Sequence, residues 1–289
     1  MSSLNAIDRN AKRNAPRQRG GDALDNFGDE RADRFAALRE MFDPGTIRHL
    51  EKRGVSRGWH CLELGGAGGS IAEWLSERVG PAGRVVVTEI NTQSLEGVAR
   101  ANLEVLHHNV VTDPLPEGVF DLVHARLLLG HLPQRDLILS RMVAALKPGG
   151  WLLDEEFEGL SFDACRDQSL GGGALRAAVA MDRVMEEQGV DLHFGRSLFE
   201  RVRSIGLVDV GADAHSSMWR ARSAGTCFLR SCLKQFSTAM IRGGLITAEE
   251  FQCDLTSLDD PGFATLSPTL WSVWGRRQHE VEGKEHETA

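Results

Sequence analysis

The amino-acid sequence predicts an α/β fold in which a mainly parallel sheet carries helices on both faces. From Trp59 to Phe157, short apolar runs of strand length alternate with segments whose apolar residues recur at helical spacing. A glycine-rich turn separates the first strand from the first helix, and a Lys-Pro-Gly-Gly turn at 147–150 precedes the fifth strand. This rhythm is typical of right-handed βαβ units, whose strands are parallel.

Each element of this region follows from its own pattern. The helix expected at 70–79, for example, brings Ile71, Leu75 and Val79 to one face, and the Gly80-Pro81 pair ends it. The expected strands cover residues 60–64, 84–89, 103–107, 120–125 and 151–157. The expected helices between them cover residues 70–79, about 91–101 and 135–146.

The region before Trp59 divides into two parts. Residues 1–28 lack apolar periodicity, and their polar, basic composition predicts a disordered tail. Residues 29–57 predict two N-terminal helices. The second of these would begin with Asp43 as its N-cap and Pro44 in its first turn, because proline is tolerated where no helical N–H is needed.

After Phe157 the rhythm changes to longer helices. Thr247 and Glu250 have the spacing of a capping box, which marks the start of one of them. Helices are expected at about 174–188, 197–205, 228–241 and 247–257, and strands at 207–214 and 270–274. We expect one domain over residues 58–289, in which the segments at about 158–206 and 217–266 form helical lids over a site.

The composition argues against several classes of protein. The formal net charge is −8, whereas nucleic-acid-binding proteins rely on Lys and Arg to neutralise phosphates. Five scattered cysteines without CxxC or His/Cys ligand spacing predict free thiols and no metal site. No apolar stretch is long enough to span a bilayer, and the N-terminus lacks the apolar core of a signal peptide. We therefore expect a cytoplasmic monomer or homodimer with neither nucleic acid nor membrane as partner.

The segment Cys61–Ser70, with the sequence CLELGGAGGS, carries the chemistry. Glycines at a strand-to-helix turn let a ligand approach the backbone without meeting a Cβ atom. A dinucleotide-binding G-x-G-x-x-G pattern fits poorly, because its third glycine would fall at Ile71 or its second at Ala67. Glu63 would also repel a pyrophosphate. A P-loop is excluded because no Gly-Lys-Ser/Thr sequence follows.

This segment resembles the first motif of the class I S-adenosylmethionine (SAM)-dependent methyltransferases, which reads E/D-x-G-x-G-x-G. Glu63, Gly65 and Gly69 match it, and Ala67 replaces the middle glycine. A carboxylate suits SAM, which carries an ammonium group and a positive sulfur. The resemblance covers about residues 58–157 and is greatest to bacterial small-molecule enzymes of quinone and natural-product biosynthesis. It implies a Rossmann-like, seven-stranded sheet whose last strand is reversed.

The resemblance also implies which residues contact SAM. Glu89, at the end of the second strand, would bind the ribose hydroxyls, and Ile90 would pack on the adenine. Asn109 and the backbone of Val110 would meet the adenine edge, although Asn is also common in turns for local reasons. The full implied set is Glu63, Gly65, Gly66, Ala67, Gly69, Glu89, Ile90, Asn109, Val110, Ala125 and Arg126.

The implied reaction is in-line transfer of the methyl group from SAM to an oxygen, nitrogen or carbon atom of a small molecule, with S-adenosylhomocysteine as product. Such transfer depends on alignment of the reactants and, for many acceptors, on a base. His131, after the fourth strand, and Glu156, near the end of the fifth, are the catalytic candidates, although a histidine placed like His131 is more often a capping or packing residue. Three alternatives stay open: a SAM-binding fold with a non-methylating reaction such as cyclisation, a nicotinamide-dependent oxidoreductase, and a binding module without catalysis.

Overall fold

The computed structural model describes residues 28–98, 100–159 and 175–279 of the chain. The tail expected at residues 1–28 lies outside this part, apart from Gly28, which begins the first helix. The strands are β1 (His60–Leu64), β2 (Arg84–Glu89), β3 (Leu103–His107), β4 (Phe120–Arg126), β5 (Leu146–Glu158), β6 (Val208–His215), β7 (Met218–Arg220), β8 (Ala264–Leu266) and β9 (Thr269–Arg276). The helices are α1 (Gly28–Lys52), α2 (Ser70–Val79), α3 (Arg135–Ala145), α4 (Arg176–Glu187), α5 (Phe194–Ser204), α6 (Ala224–Arg242) and α7 (Ala248–Ser257).

Seven strands form one twisted sheet in the order β3-β2-β1-β4-β5-β9-β6. Strands β1 to β5 pair in parallel, and β9 runs antiparallel to both of its neighbours, β5 and β6. The predicted fold class is confirmed, including the reversed last strand. Strands β7 and β8 form a separate antiparallel pair that the sequence pattern did not indicate.

Most of the elements between residues 59 and 157 begin and end where the apolar pattern predicts. Two elements differ. Strand β5 begins at Leu146, so the segment 147–150 that was expected as a turn before it lies within the strand. The helix expected at about 91–101 is wrong: a single 3-10 turn, Thr92–Leu95, occupies its place. Asn91 caps this turn by accepting a hydrogen bond from the Gln93 amide, and the chain then leaves helical geometry at Glu96. Gly97 follows with a positive φ of 95°, which an α-helix cannot contain.

The two N-terminal helices predicted around Asp43 are also wrong, because α1 continues through Pro44 as one helix of 25 residues. Proline inside a helix removes one backbone hydrogen bond, so packing must hold α1 together at this point. Asp43 is not an N-cap; its carboxylate accepts a hydrogen bond from Arg126 on β4. Tertiary contacts have overridden the local signal.

Three hydrophobic cores organise the helices around the sheet. One face of the sheet packs against α2 and the end of α1, through residues such as Leu75 and Leu50. The opposite face packs against α3 and α5, through residues such as Met142 and Leu198. A third core, formed by α1, α4, α6 and α7, lies beyond Phe157 at the end of β5.

This arrangement changes the expected extent of the lids. Helix α4 belongs to the helical layer, as do α6 and α7, whereas α5 packs on the sheet against β5, β6 and β9. Of the lid expected at 158–206, residues 160–174 lie outside the described residues, and α5 packs on the face of the sheet and not over its edge. Within the described ranges, no helix combines the length and the apolar character needed to cross a bilayer.

Candidate active site

The glycine-rich loop between β1 and α2 is bound to the neighbouring strand through its backbone. The amides of Gly65 and Gly66 both donate to the carbonyl of Thr88, at 3.0 and 3.1 Å. A Cβ added to Gly66 would lie 2.1 Å from Val87 Cγ2, so only glycine fits there. Gly69 precedes α2 with a φ of 78°, and Ala67 adopts a φ of 45°, which is uncommon for a residue with a side chain.

Glu89 lies directly beside this loop at the carboxyl end of β2. Its Oε2 accepts from the Ala67 amide at 3.3 Å, and its Oε1 accepts from the Ile90 amide at 3.0 Å. The carboxylate is only half-buried, and the neighbouring Ile90 side chain is 55% exposed. An acceptor of hydrogen bonds and an uncovered apolar side chain thus stand together at the edge of the loop.

Asn109 and Val110 follow β3 on the same side of the sheet. The Asn109 side chain accepts from the Val111 amide at 3.0 Å, and its own amide donates to Asp113 at 2.9 Å. These bonds form a local turn, as the alternative interpretation of Asn109 requires. The Val110 side chain packs in the core, and its carbonyl accepts from Arg141 at 3.1 Å.

The loop after β4 closes the other side of the glycine-rich turn. Leu127 adopts a φ of 55°, held by a hydrogen bond of 2.8 Å from its amide to the carbonyl of Glu155. The Leu128 side chain packs over Gly65, where a Cβ would lie 3.3 Å from its Cδ1. Ala125, predicted to contact SAM, has a completely buried side chain in the core beneath this loop.

Glu63 takes part in a buried network that the sequence analysis did not foresee. Its Oε2 lies 2.7 Å from Nδ1 of His124, and Nε2 of His124 lies 3.5 Å from Oε2 of Glu155. Burial alone would lower the pKa of His124, but the charges of Glu63 and Glu155 outweigh it and raise the pKa to about 9. The Glu155 pKa falls to about 2: burial opposes this fall, and His124, Arg126 and the hydroxyl of Ser272 produce it.

Arg126 lies on the same face of β4 as His124 but is directed toward α1. One guanidinium nitrogen donates to Asp43 at 2.8 Å and the other to the hydroxyl of Thr46 at 3.0 Å. Thr46 in turn donates to Glu155. The geometry therefore supports an anchoring role for Arg126 rather than the implied contact with SAM.

Glu156 points to the opposite face of the sheet from Glu155, as strand alternation predicts. Its Oε1 accepts hydrogen bonds from the amides of Leu128 and Leu129, at 2.9 and 2.6 Å, and its side chain is buried. Burial raises its pKa to about 7, and these amides oppose the rise. The carboxylate supports the loop after β4 from below, which argues against direct contact with an acceptor.

His131 ends the short 3-10 turn Leu129–His131 on this loop, and its side chain is exposed. The surrounding protein still removes part of its hydration, which lowers its pKa, and the charges of Arg34 and Arg135 lower it further. Its pKa falls to about 4, so the imidazole is neutral at neutral pH and is a weak base that can hold an accepted proton only briefly. Of the two catalytic candidates, only His131 has the exposure that the role requires.

Helix α1 lies over this edge of the sheet. A Cβ added to Gly68 would lie 3.1 Å from Cβ of Phe35, so α1 packs directly on the glycine-rich loop. Further along the same helix, Asp43 and Thr46 contact β4 and β5, and Arg34 donates to Gln235 on α6. The predicted donor residues, His131 and two covering helices thus meet at the carboxyl edge of the parallel strands.

Comparisons with known proteins agree with this geometry. Residues 62–154 match the methyltransferase domain family. The ubiquinone/menaquinone biosynthesis C-methyltransferase UbiE of Hahella chejuensis is 33% identical over 143 residues, which are 45% of this chain and 57% of that protein. Its counterpart in Pseudoalteromonas translucida is 34% identical over 140 residues, which are 44% and 55%. The chain thus spans little more than half the length of these relatives.

Solved structures share the fold at low sequence identity. Phosphoethanolamine N-methyltransferase 2 of Haemonchus contortus, in complex with phosphomonomethylethanolamine and S-adenosylhomocysteine, gives a TM-score of 0.58 at 14% identity. That alignment covers 92% of this chain and 62% of the other. The same enzyme in complex with SAM gives a TM-score of 0.55 at 16% identity, covering 91% and 61%. Sequence motif, fold and family match therefore agree over residues 62–154, the part of the chain that is similar to the methyltransferase domain family.

Proposed function

We propose that this chain transfers the methyl group of SAM to a small-molecule acceptor and releases S-adenosylhomocysteine. The observation that carries the proposal is the position of Glu89, half-buried at the end of β2 and hydrogen-bonded to the amide of Ala67 in the glycine-rich loop. The carboxyl ends of parallel strands are where α/β sheets bind ligands, and Glu89 places an acidic group there.

The residues around Glu89 fit SAM. A carboxylate has about four acceptor positions, so Glu89 can receive a ribose diol while it keeps its backbone bonds. The exposed Ile90 offers an apolar surface to an adenine ring. Glu63 supplies negative charge at the end of β1, and its pairing with His124 uses Oε2, so Oε1 can still accept from an ammonium group. SAM supplies a methyl group activated by a positive sulfur.

The acceptor side supports a small molecule. Helices α1, α4, α6 and α7 share a hydrophobic core over the edge of the sheet, and α1 and α6 are joined by Arg34 and Gln235. A helical layer over the edge of the sheet favours an enclosed acceptor site from which water is excluded. The net charge of −8 disfavours nucleic acid as an acceptor. We propose His131 as the group that accepts a proton where the acceptor must lose one.

The relatives' own substrates are not carried over to this chain. The family match ends at residue 154, before α4, α6 and α7, and these helices cover the acceptor side. The nicotinamide alternative is not favoured, because the Glu63 carboxylate stands where a pyrophosphate would be repelled. The class of acceptor is therefore proposed from the enclosure and charge of this chain alone.

Calorimetric titration tests the donor first. We expect SAM and S-adenosylhomocysteine to bind at micromolar concentration, NADH not to bind, and Glu89→Ala to weaken SAM binding at least tenfold, which is about 1.4 kcal/mol. The exposed Glu117 provides a control, since Glu117→Ala should leave binding unchanged. Absence of SAM binding to the wild type would overturn the proposal.

Isotope transfer then tests the acceptor. SAM labelled in its methyl group is incubated with the enzyme and a cell extract, and the label is followed into the small-molecule, protein and nucleic-acid fractions. We expect label in small molecules together with release of S-adenosylhomocysteine. Label confined to protein or nucleic acid would overturn the acceptor class, and an unlabelled product formed without S-adenosylhomocysteine would indicate a non-methylating reaction.

A further inference from the structure

His124 connects the strand that carries the donor-site acid to the strand that anchors α1. It lies in β4 with a fully buried side chain, and both of its ring nitrogens face carboxylates. Nδ1 is 2.7 Å from Glu63 on β1, and Nε2 is 3.5 Å from Glu155 on β5. An imidazole can donate from both nitrogens only when it is doubly protonated.

Without this positive charge, the two acids would be difficult to keep ionised. Glu63 is 5% exposed and Glu155 is completely buried, so neither carboxylate is well hydrated. An unpaired buried charge is strongly destabilising, and a buried acid normally takes up a proton instead. His124 therefore places a paired positive charge beside the Glu63 carboxylate and holds that carboxylate in a fixed direction.

The network continues from Glu155 into α1. The hydroxyl of Thr46 donates to Glu155 and accepts from Arg126 at 3.0 Å, and Arg126 also pairs with Asp43. Ser272 on β9 donates to the second oxygen of Glu155 at 2.5 Å. Asp43 and Thr46, about one turn apart on α1, thus join this helix to the network through Arg126 and Glu155.

We propose that His124 is a positioning residue that aims the donor-site carboxylate of Glu63 and couples it, through Glu155 and Thr46, to the docking of α1. The inference rests on the proposed function and deepens it. Helix α1 also packs on the glycine-rich loop through Phe35. Linkage then requires that donor binding strengthens α1 docking by the same factor by which α1 docking strengthens donor binding.

Substitution of His124 tests the first half of this coupling. His124→Gln keeps a polar side chain but removes the charge, and we expect it to raise the Kd for SAM about tenfold in calorimetry. His60→Gln is the matched control, because His60 lies at the amino end of β1, opposite to the carboxyl end that carries the donor site, and its substitution should leave the Kd unchanged. A folded His124→Gln protein with the wild-type Kd would overturn the proposal.

Substitution of Thr46 tests the second half at a residue of α1 whose hydroxyl bonds to Glu155 and Arg126. Thr46→Val keeps the shape and removes the hydroxyl, and we expect the Kd for SAM to rise about fivefold, within the usual range of coupling between sites. In the His124→Gln background the same change should have no further effect, since the connection is already cut. Thr256→Val on α7 is the matched control, because that hydroxyl bonds only to its own helix at Gln252. Independent, multiplying effects of Thr46→Val and His124→Gln would overturn the coupling.

Hydrogen exchange and NMR test the coupling by measurements that do not depend on enzyme activity. We expect SAM to slow amide exchange in α1 of the wild type and not of His124→Gln. Nitrogen NMR of the wild-type histidines should show both ring nitrogens of His124 protonated at neutral pH, and a neutral ring would overturn the proposal even if the variants fail to fold. Failure of the wild type to bind SAM would instead overturn the proposed function, while the NMR result would still decide the charge of His124.

Discussion

Glu63 and His124 stand opposite each other in the register of β1 and β4, and their side chains meet with 2.7 Å between Oε2 and Nδ1. Glu63 lies two residues before Gly65, the first glycine of the turn, so the charge of a buried histidine is placed directly under the proposed donor site. The pKa of His124, raised to about 9, keeps this pair ionic at neutral pH.

Stability should depend on the proton of His124. Its folded pKa of about 9 lies above the ordinary value of 6.5, so the native state binds this proton more tightly than the unfolded chain does. The stabilisation is complete below about pH 6.5 and is lost as the pH rises through 9. We expect the free energy of unfolding, measured in urea, to lose up to about 1.4 kcal/mol per pH unit from this group across that window.

His124→Gln removes this titrating group. The Glu155 carboxylate, whose pKa His124 lowers, then titrates differently as well, so the comparison is confined to pH 6.5–9. The difference in unfolding free energy between wild type and variant should shrink across this window. A difference that is independent of pH would mean that His124 is neutral in the native state.

Asp154 should make stability fall with rising pH in the same direction as His124, but from a more acidic starting point. Its side chain is completely buried in β5 and neither oxygen has a hydrogen-bond partner among the described residues. Burial, and the nearby carboxylate of Glu156, raise its pKa well above the ordinary 3.8. The native state therefore keeps a proton that the unfolded chain releases, and stability from this group is lost progressively as the pH rises above 3.8.

Asp154→Asn imitates the protonated acid at every pH. We expect its unfolding free energy to exceed that of the wild type by a margin that grows between about pH 4 and 7, by up to about 1.4 kcal/mol per pH unit. Asp136→Asn, an exposed acid on α3, provides the control. An Asp154→Asn protein that is less stable than the wild type at neutral pH would indicate a partner for the ionised form.

Glu156 should prove to be a support for the loop after β4 and not the catalytic base. Glu156→Gln keeps an oxygen for the amides of Leu128 and Leu129, so methyl transfer should stay within about threefold of the wild type, whereas loss of a general base costs about a hundredfold or more. Glu156→Leu removes the acceptor and leaves two buried amides unpaired, which should cost about 1–3 kcal/mol each in stability. Loss of activity in a stably folded Glu156→Gln protein would restore the catalytic interpretation.

The sequence pattern predicts the sheet and the donor motif because both depend on local information. The spacing of apolar residues predicts β1, α2, β2 and β3 with their observed bounds. The positions of Glu63, the glycines and Glu89 at the carboxyl ends of β1 and β2 place the expected donor residues along one edge of the sheet. Strand alternation alone also assigns Glu155 and Glu156 to opposite faces. Because the carboxyl ends of parallel strands lie at the same edge of a sheet, the fold class alone is enough to bring these side chains together.

The contacts made by α1 could not be predicted in the same way. The sequence Asp43-Pro44 predicts an N-cap, yet the Asp43 carboxylate instead accepts a hydrogen bond from Arg126, which is 83 residues away in the sequence. Nothing in the local sequence of His124 indicates two buried carboxylate partners, since one comes from β1 and the other from β5. One signal was available in the sequence. Strand alternation places His124 and Arg126 on the same face of β4, and β4 is a neighbour of β1, so both side chains could be expected near Glu63.

Ala67 is the one departure from the glycine pattern, and its backbone shows the cost. A φ of 45° is disfavoured for a residue with a Cβ, by roughly 1–2 kcal/mol relative to the common regions. Ala67→Gly should relieve this strain while adding entropy to the unfolded chain, so we expect a net gain of about 0–1 kcal/mol in unfolding free energy. The backbone amide at position 67 would still donate to Glu89 in this variant, so the SAM affinity measured by calorimetry should be unchanged or higher. Asp209→Gly, at a φ of 51° on β6, should give a similar gain without any effect on SAM. Weaker SAM binding by Ala67→Gly would show that the methyl group itself shapes the donor site.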